Sequence, residues 1–121
     1  MSERSSKLLV SDIIDSIEKI NRYTSQLNFD EFSNTEIVVD AVIRNFGIIG
    51  EATSKLPRSF RSTYKNIDWK KIKNFRNLLI HEYFGIDLKI TWAIIHDKLP
   101  GFLLALKEIY KTLPDTLFDS Q

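Results

Sequence analysis

The sequence predicts an all-α protein, an up-and-down bundle of four to five helices in a single domain over residues 1–121. Apolar side chains recur every three to four residues along most of the chain, and helix-capping residues precede several of these stretches. No stretch has a convincing strand pattern. Hydrophobic residues make up 43% of the chain and charged residues 27%, which is typical of a folded protein. We expect the ends, residues 1–6 and 115–121, to fray.

The first helix is predicted over residues 7–24, where the apolar residues form one face with helical spacing. We expect residues 25–33 to form a connector. The second helix has a start signal in Ser33-Asn-Thr-Glu36, which fits a capping box, and Pro57 ends it. Gly47 and Gly50 lie inside this helix and lower its stability, so they indicate a close approach. The approaching partner is either another helix of the same chain or a second subunit.

The second half of the chain predicts three further helices. We expect residues 58–68 to form a basic connector that can include a short helical turn, and Asp68 is a good N-cap for a helix over residues 69–83. Gly85 is the expected stop of that helix. Asp87 then caps a helix over residues 88–98, and Pro100 suits either the first turn of a fifth helix or a kink.

Several classes of protein are excluded by what the sequence lacks. It has no cysteine, and hence no disulfide or thiolate metal site. Its apolar runs are too short to cross a membrane, and its first residues do not resemble a signal peptide. It has no glycine-rich phosphate loop and no pair of histidines spaced for zinc, and we interpret His96 as a surface histidine. We therefore expect a cytoplasmic protein that uses no metal or cofactor and binds no membrane.

The positive charge is concentrated in one segment. Residues 1–54 carry 5 basic and 9 acidic side chains, residues 55–76 carry 8 and 1, and residues 77–121 carry 4 and 6. The net charges of the three segments are therefore −4, +7 and −2, which sum to the overall +1. Such a local patch favours binding of a polyanion, although a solvated helix face would look the same.

The basic segment leads into Arg76, Asn77 and His81, which are residue types that suit phosphate chemistry. An arginine can hold a phosphate in a planar fork, and a histidine can move a proton near neutral pH. On one straight helix, however, five residues of separation place two side chains about 140° apart. Either the helix bends near its end, or a dimer completes the site. The structural alternative is that Arg76 binds a carboxylate, His81 is a satisfied polar residue and Tyr83 belongs to the core.

The segment Arg76-Asn-Leu-Leu-Ile-His81-Glu-Tyr83-Phe resembles the Arg-x4-His-x-Tyr motif of HEPN-domain ribonucleases, specifically the HepT toxin family. The resemblance extends over roughly residues 8–112. It includes the segment 40–52, Asn66-Ile-Asp-Trp69, Tyr83-Phe-Gly-Ile-Asp87, Trp92 and Leu99-Pro100. One departure is Glu82, where the family has a small residue; it places a carboxylate beside His81.

The resemblance implies a HEPN-like fold, a homodimer and a metal-independent endoribonuclease that is the toxin of a type VII-like toxin–antitoxin system. The RNA 2′-OH would attack the phosphate, leaving a 2′,3′-cyclic phosphate and a 5′-OH. The implied partner is an MntA-type nucleotidyltransferase antitoxin, which would neutralise the toxin by adding AMP to Tyr83. The alternative is a non-catalytic HEPN subunit that binds a nucleotide or a protein.

The resemblance also assigns roles to residues of this chain. Arg76 would hold the scissile phosphate, and His81 would act as the general acid or base. Asn77 would orient the histidine or the phosphate. In the dimer the two motifs would face a shared cleft. The basic patch of Lys65, Lys70, Lys71 and Lys73 would bind the RNA.

Overall fold

The computed structural model describes residues 4–81 and 85–114, and helices cover most of them. Of the segments expected to fray, residues 1–3 and 115–121 lie outside this range. The described helices are α1 (Ser6–Thr24), α2 (Phe29–Ser33), α3 (Glu36–Lys55), α4 (Arg58–Thr63), α5 (Trp69–Leu79), α6 (Leu88–Asp97) and α7 (Leu99–Thr112). Five of these are long and two are short, so the predicted all-α bundle is confirmed. The described strands are β1 (Ile80–His81) and β2 (Gly85–Ile86), which the sequence analysis did not predict.

The core lies between α1, α3, α5 and α7. Helix α3 packs against α1 on one side and α5 on another, while α7 packs against α1 and α6. Three phenylalanine rings join three of these helices: Phe46 meets Phe75 with ring centres 6.1 Å apart, and Phe75 meets Phe102 at 5.6 Å. Phe75 is fully buried, so it fixes the face of α5 that turns inward and therefore the face that turns outward.

The predicted capping box at Ser33–Glu36 is wrong. The hydroxyls of Ser33 and Thr35 donate back to the carbonyls of Asp30 and Glu31, at 3.0 and 2.6 Å, and do not accept from the amides of α3. Residues 25–33 are also not merely a connector, because they contain α2. That helix has the capping box instead, formed by Asn28 and Glu31.

The starts of the later helices agree with the sequence. The Asp68 carboxylate accepts from the backbone N–H of Lys71 at 3.0 Å and caps α5. The Asp87 carboxylate accepts from the backbone N–H of Ile90 at 2.9 Å and caps α6. Pro100 lies in the first turn of α7, where its missing N–H removes no helical hydrogen bond.

The predicted end of the third long helix is wrong. The helix was expected to run to residue 83, but α5 ends at Leu79 because Ile80 adopts an extended conformation. Ile80 and His81 pair with Ile86 and Gly85 in an antiparallel ladder, so their backbone bonds are made to β2. Gly85 does not stop the helix. It begins β2 with φ of +78°, a left-handed conformation that glycine adopts without strain.

Candidate active site and basic surface

Arg76 lies in the last turn of α5, immediately after the buried Phe75, and its side chain is exposed. The aliphatic part of the side chain lies over Gly47 of α3. A Cβ atom built on Gly47 would be 3.5 Å from Cδ of Arg76 and 3.7 Å from its Nε. The missing side chain of Gly47 therefore leaves room for the stem of Arg76 against α3.

Gly50, one turn further along α3, lets the two helices approach closely. A Cβ atom at this position would lie 2.9 Å from the backbone oxygen of Lys73, closer than real Cβ atoms come to other atoms. The predicted close approach at the two glycines is thus a crossing of α3 and α5 within one chain. This crossing fixes where α5 lies along α3 and how α5 is rotated about its own axis. It therefore also fixes the position of Arg76.

Asn77 is exposed beside Arg76.

The lysines of α5 divide between two sides of the helix, because each residue turns the side-chain direction by about 100°. Lys70, Lys73 and Arg76 follow one another three residues apart, each about 60° from the last. Lys71 points about 160° away from Lys73. Lys71 and Lys73 of the predicted patch therefore lie on different sides of α5.

The backbone of His81 lies in β1, two residues beyond the end of α5. The premise that Arg76 and His81 share one straight helix is therefore wrong, and the divergence of about 140° calculated from it does not apply. The backbone of His81 is held by pairing with Gly85 and lies between the end of α5 and the start of α6. The side chain of His81 and all of Glu82 and Tyr83 lie outside the described parts of the chain.

Within the described ranges Arg76 makes no salt bridge, so the alternative in which it binds a carboxylate has no support there. The other histidine, His96, is exposed on α6. Its Nδ1 lies 2.8 Å from the carbonyl oxygen of Trp92, and the two rings are 4.2 Å apart. His96 is thus a surface residue that packs on its own helix, as predicted.

The basic residues between α4 and the end of α5 differ from many of those elsewhere in having no acidic partner among the described residues. Arg4, Lys19, Lys55, Lys107 and Lys111 each pair with a carboxylate. In the part of the chain that the structure describes, no such pair involves any of the seven basic residues of the segment 58–76: Arg58, Arg61, Lys65, Lys70, Lys71, Lys73 and Arg76. Their charge is therefore available to a ligand.

An open groove of about 660 Å³ runs between α4, the turns that follow it and the start of α5. Its basic lining side chains are Arg58, Arg61, Lys65 and Lys70. We call it the α4–α5 groove. The sequence analysis counted Arg58 and Arg61 in the basic segment 55–76 that approaches the RNA, but it named only four lysines as the RNA-binding patch. Their spacing of one helical turn was the available signal, since it places both side chains on one face once residues 58–63 are recognised as a helix.

The described residues contain no cluster of three or more histidine, cysteine, aspartate or glutamate side chains that could hold a metal ion. Over the same ranges, no helix has the length and apolar character needed to cross a bilayer.

The family model described as Ribonuclease HepT-like matches residues 13–109. A protein of Methanocaldococcus jannaschii named "Putative RNase" is 38% identical over 100 residues, which are 83% of this chain and 92% of that protein. The "Probable ribonuclease HepT" of Thermococcus cleftensis is 35% identical over 99 residues, which are 82% of this chain and 90% of that protein. No solved structure matches the chain.

A longer M. jannaschii protein, named "Gamma-glutamylcyclotransferase and putative RNase", is 42% identical over 107 residues. The match covers 88% of this chain, which spans about half of that relative, 48% of its length. Taken with the helical bundle, these matches define the class of the protein as an all-α ribonuclease. The chain belongs to the HepT-like ribonuclease family.

Proposed function

We propose that this chain is a metal-independent endoribonuclease whose reacting groups are Arg76 and His81. The observation that carries the proposal is the position of Arg76, an exposed arginine without an acidic partner among the described residues, whose stem lies over Gly47. Membership of a ribonuclease family and the unpaired basic surface leading to Arg76 support the same conclusion.

In the proposed reaction His81 takes the proton of the RNA 2′-OH, and the 2′-oxygen attacks the adjacent phosphorus. The bond from phosphorus to the 5′-oxygen breaks, and a protonated histidine returns a proton to that oxygen. The products are a 2′,3′-cyclic phosphate and a 5′-OH. The guanidinium of Arg76 binds the non-bridging oxygens and stabilises the charge that grows on them in the transition state. Asn77, exposed beside Arg76, orients the phosphate or the histidine.

We further propose a homodimer in which two such motifs face one cleft, so that two histidines divide the roles of acid and base. The protein would act in the cytoplasm as the toxin of a type VII-like toxin–antitoxin pair with an MntA-like nucleotidyltransferase as antitoxin. Addition of AMP to Tyr83 would place negative charge two residues from His81, where the RNA phosphate must bind. Repulsion and bulk would then stop cleavage.

The proposal is tested with purified protein in EDTA, after intact mass has shown whether it carries AMP. The substrate is an RNA oligonucleotide, and its matched control has a 2′-deoxy nucleotide at the cleaved position. We expect cleavage of the RNA alone, with cyclic-phosphate ends. Cleavage of the deoxy substrate, or a requirement for metal, would refute the mechanism. If unmodified protein cleaves none of a varied set of RNAs, the protein is instead a non-catalytic binding subunit.

A further inference from the structure

We infer that the α4–α5 groove is a preformed binding site for the phosphate backbone of single-stranded RNA, separate from the phosphate that reacts at Arg76. The inference rests on the proposed function for the identity of the polyanion. It adds Arg58 and Arg61 to the residues that bind RNA, and it removes Lys71 from the path of the strand.

The first argument is the charge of the groove. Four basic side chains line it, and in the described chain none of them has an acidic partner. The one carboxylate in the lining, Asp68, already accepts the N–H of Lys71 at the start of α5. The groove therefore keeps a net positive charge for a ligand.

The second argument is that the groove is rigid. Phe60 packs against Tyr64 with ring centres 4.9 Å apart and against Trp69 at 6.0 Å. The indole N–H of Trp69 donates to the carbonyl of Tyr64 at 3.1 Å, and the backbone N–H of Ile67 donates to the same carbonyl at 3.1 Å. Ile67 and Trp69 are both buried. The turn that carries Lys65 is thus held in place by the buried side chains that it packs on. Ligand binding therefore needs little further ordering of the backbone there.

The third argument is that the groove leads to Arg76. Lys70 lies at the mouth of the groove, and Lys73 and Arg76 follow along α5, each turned about 60° from the one before, so that the path winds about 120° around the helix. From Lys70 to Arg76 the rise along the helix is about 9 Å, at about 1.5 Å per residue. This distance is short, so a strand bound in the groove can continue along α5 as far as Arg76. One RNA strand can therefore occupy the groove and present a phosphate to Arg76.

The groove contacts the backbone and leaves base identity unread. Trp69, the aromatic residue of its lining, is only 6% exposed and has its N–H already bonded, so it offers no face for a base to stack on. Arginine and lysine contacts to phosphates position a strand without reading its sequence. We expect the groove to add affinity equally for RNAs of different sequence.

The test measures binding of a fluorescent 12-nucleotide single-stranded RNA by anisotropy between 50 and 200 mM salt. All proteins carry His81→Ala, so that the RNA stays intact. The groove variant is Arg58→Gln/Arg61→Gln, and a control with the same loss of charge is Arg22→Gln/Lys98→Gln, at two exposed sites, one on α1 and one between α6 and α7. Removing two phosphate contacts should reduce the salt slope by about 1.4, at about 0.7 per contact.

When the salt concentration rises fourfold, this difference in slope means that the RNA affinity of the parent protein falls about sevenfold more than that of the groove variant. The control should keep the parent's slope. Equal slopes for the groove variant and the parent would overturn the inference. If Arg61→Gln unfolds the protein, Arg58→Gln/Lys70→Gln replaces two exposed side chains of the same groove. Competition by a poly-glutamate peptide as strong as that by unlabelled RNA would overturn the assignment to RNA.

The outcomes for the groove and for the proposed function are distinguishable because cleavage is measured separately, with His81 in place. Binding that depends on the groove, without any cleavage by the unmodified protein, refutes the nuclease and keeps the groove. Cleavage with salt slopes that do not change in the groove variant refutes the groove and keeps the nuclease.

Discussion

Replacing Gly50 and Gly47 separately by alanine tests the crossing of α3 and α5 that positions Arg76. Both residues lie inside α3, three positions apart. In a helix interior, glycine to alanine gains about 1 kcal/mol from helix propensity and from the reduced freedom of the unfolded chain. This gain should be nearly equal at the two sites, so the difference between the variants reports what each new Cβ atom meets.

The contacts of the two new methyl groups differ. At Gly47 the methyl meets Cδ of Arg76 at 3.5 Å, which is an ordinary van der Waals contact. At Gly50 it meets the backbone oxygen of Lys73 at 2.9 Å, so one of the two helices has to move. Overpacking of this kind costs about 1–3 kcal/mol. We therefore expect Gly47→Ala to be stabilised by about 1 kcal/mol and Gly50→Ala to be less stable than Gly47→Ala by about 2 kcal/mol.

The measurement is urea unfolding followed by circular dichroism, with the free energy of unfolding extrapolated to water. The slope against urea should be the same for both variants, because the surface exposed on unfolding hardly changes. Equal stability of the two variants, or higher stability of Gly50→Ala, would refute the crossing and the position of Arg76 derived from it.

Three other predictions test neighbouring parts of the structure. Gly47→Leu should fill the space of the Arg76 stem and lower the RNA cleavage rate by up to about 100-fold, while Gly47→Ala stays active; unchanged cleavage by the leucine variant would contradict that packing. Asp68→Asn should keep the cap of α5, since asparagine caps as well as aspartate, but tighten RNA binding measured by anisotropy because it removes a carboxylate from the groove. Phe75→Ala should lower the free energy of unfolding by about 3–5 kcal/mol, whereas replacing the half-exposed Leu78 by alanine should change it by about 0.5 kcal/mol. Similar losses of stability in the two variants would contradict the assignment of Phe75 to the core.

The helical bundle could be predicted because local signals and packing agree along most of the chain. The apolar face of α1, the carboxylate caps at Asp68 and Asp87 and the proline at the start of α7 each act within one or two helical turns. The glycine pair in α3 was also readable as a close approach, although which helix approaches is a property of the tertiary structure.

The errors arose where the same residues can form two different local structures. Ser33 to Glu36 has the spacing of a capping box, but the hydroxyls of Ser33 and Thr35 donate to carbonyls of the preceding short helix, which the sequence analysis did not recognise. The end of α5 was misplaced because Gly85 was interpreted as the C-terminal stop of the helix. Pairing of Ile80 with Ile86 in the β1–β2 ladder ends the helix earlier, at Leu79.

The motif from Arg76 to Tyr83 supplies the residues of the candidate site. The geometry of that site depends on where α5 ends. Spacing alone placed Arg76 and His81 on diverging sides of a helix, whereas the structure puts the backbone of His81 in a strand beyond it. The chemistry assigned to these residues came from the resemblance and remains a proposal. The division of Lys70, Lys71 and Lys73 between two sides of α5 became visible only when the helix had a defined buried face.

The most direct measurement of the central claim compares RNA cleavage by the wild type, His81→Ala and His96→Ala in EDTA. The chain has only these two histidines, so the pair separates the proposed general acid or base from the loss of a histidine elsewhere. Loss of general acid–base catalysis should slow His81→Ala by about 10²–10⁴-fold, while His96→Ala keeps the wild-type rate. Unfolding curves should show all three proteins folded. Cleavage by folded His81→Ala at the wild-type rate would contradict the account.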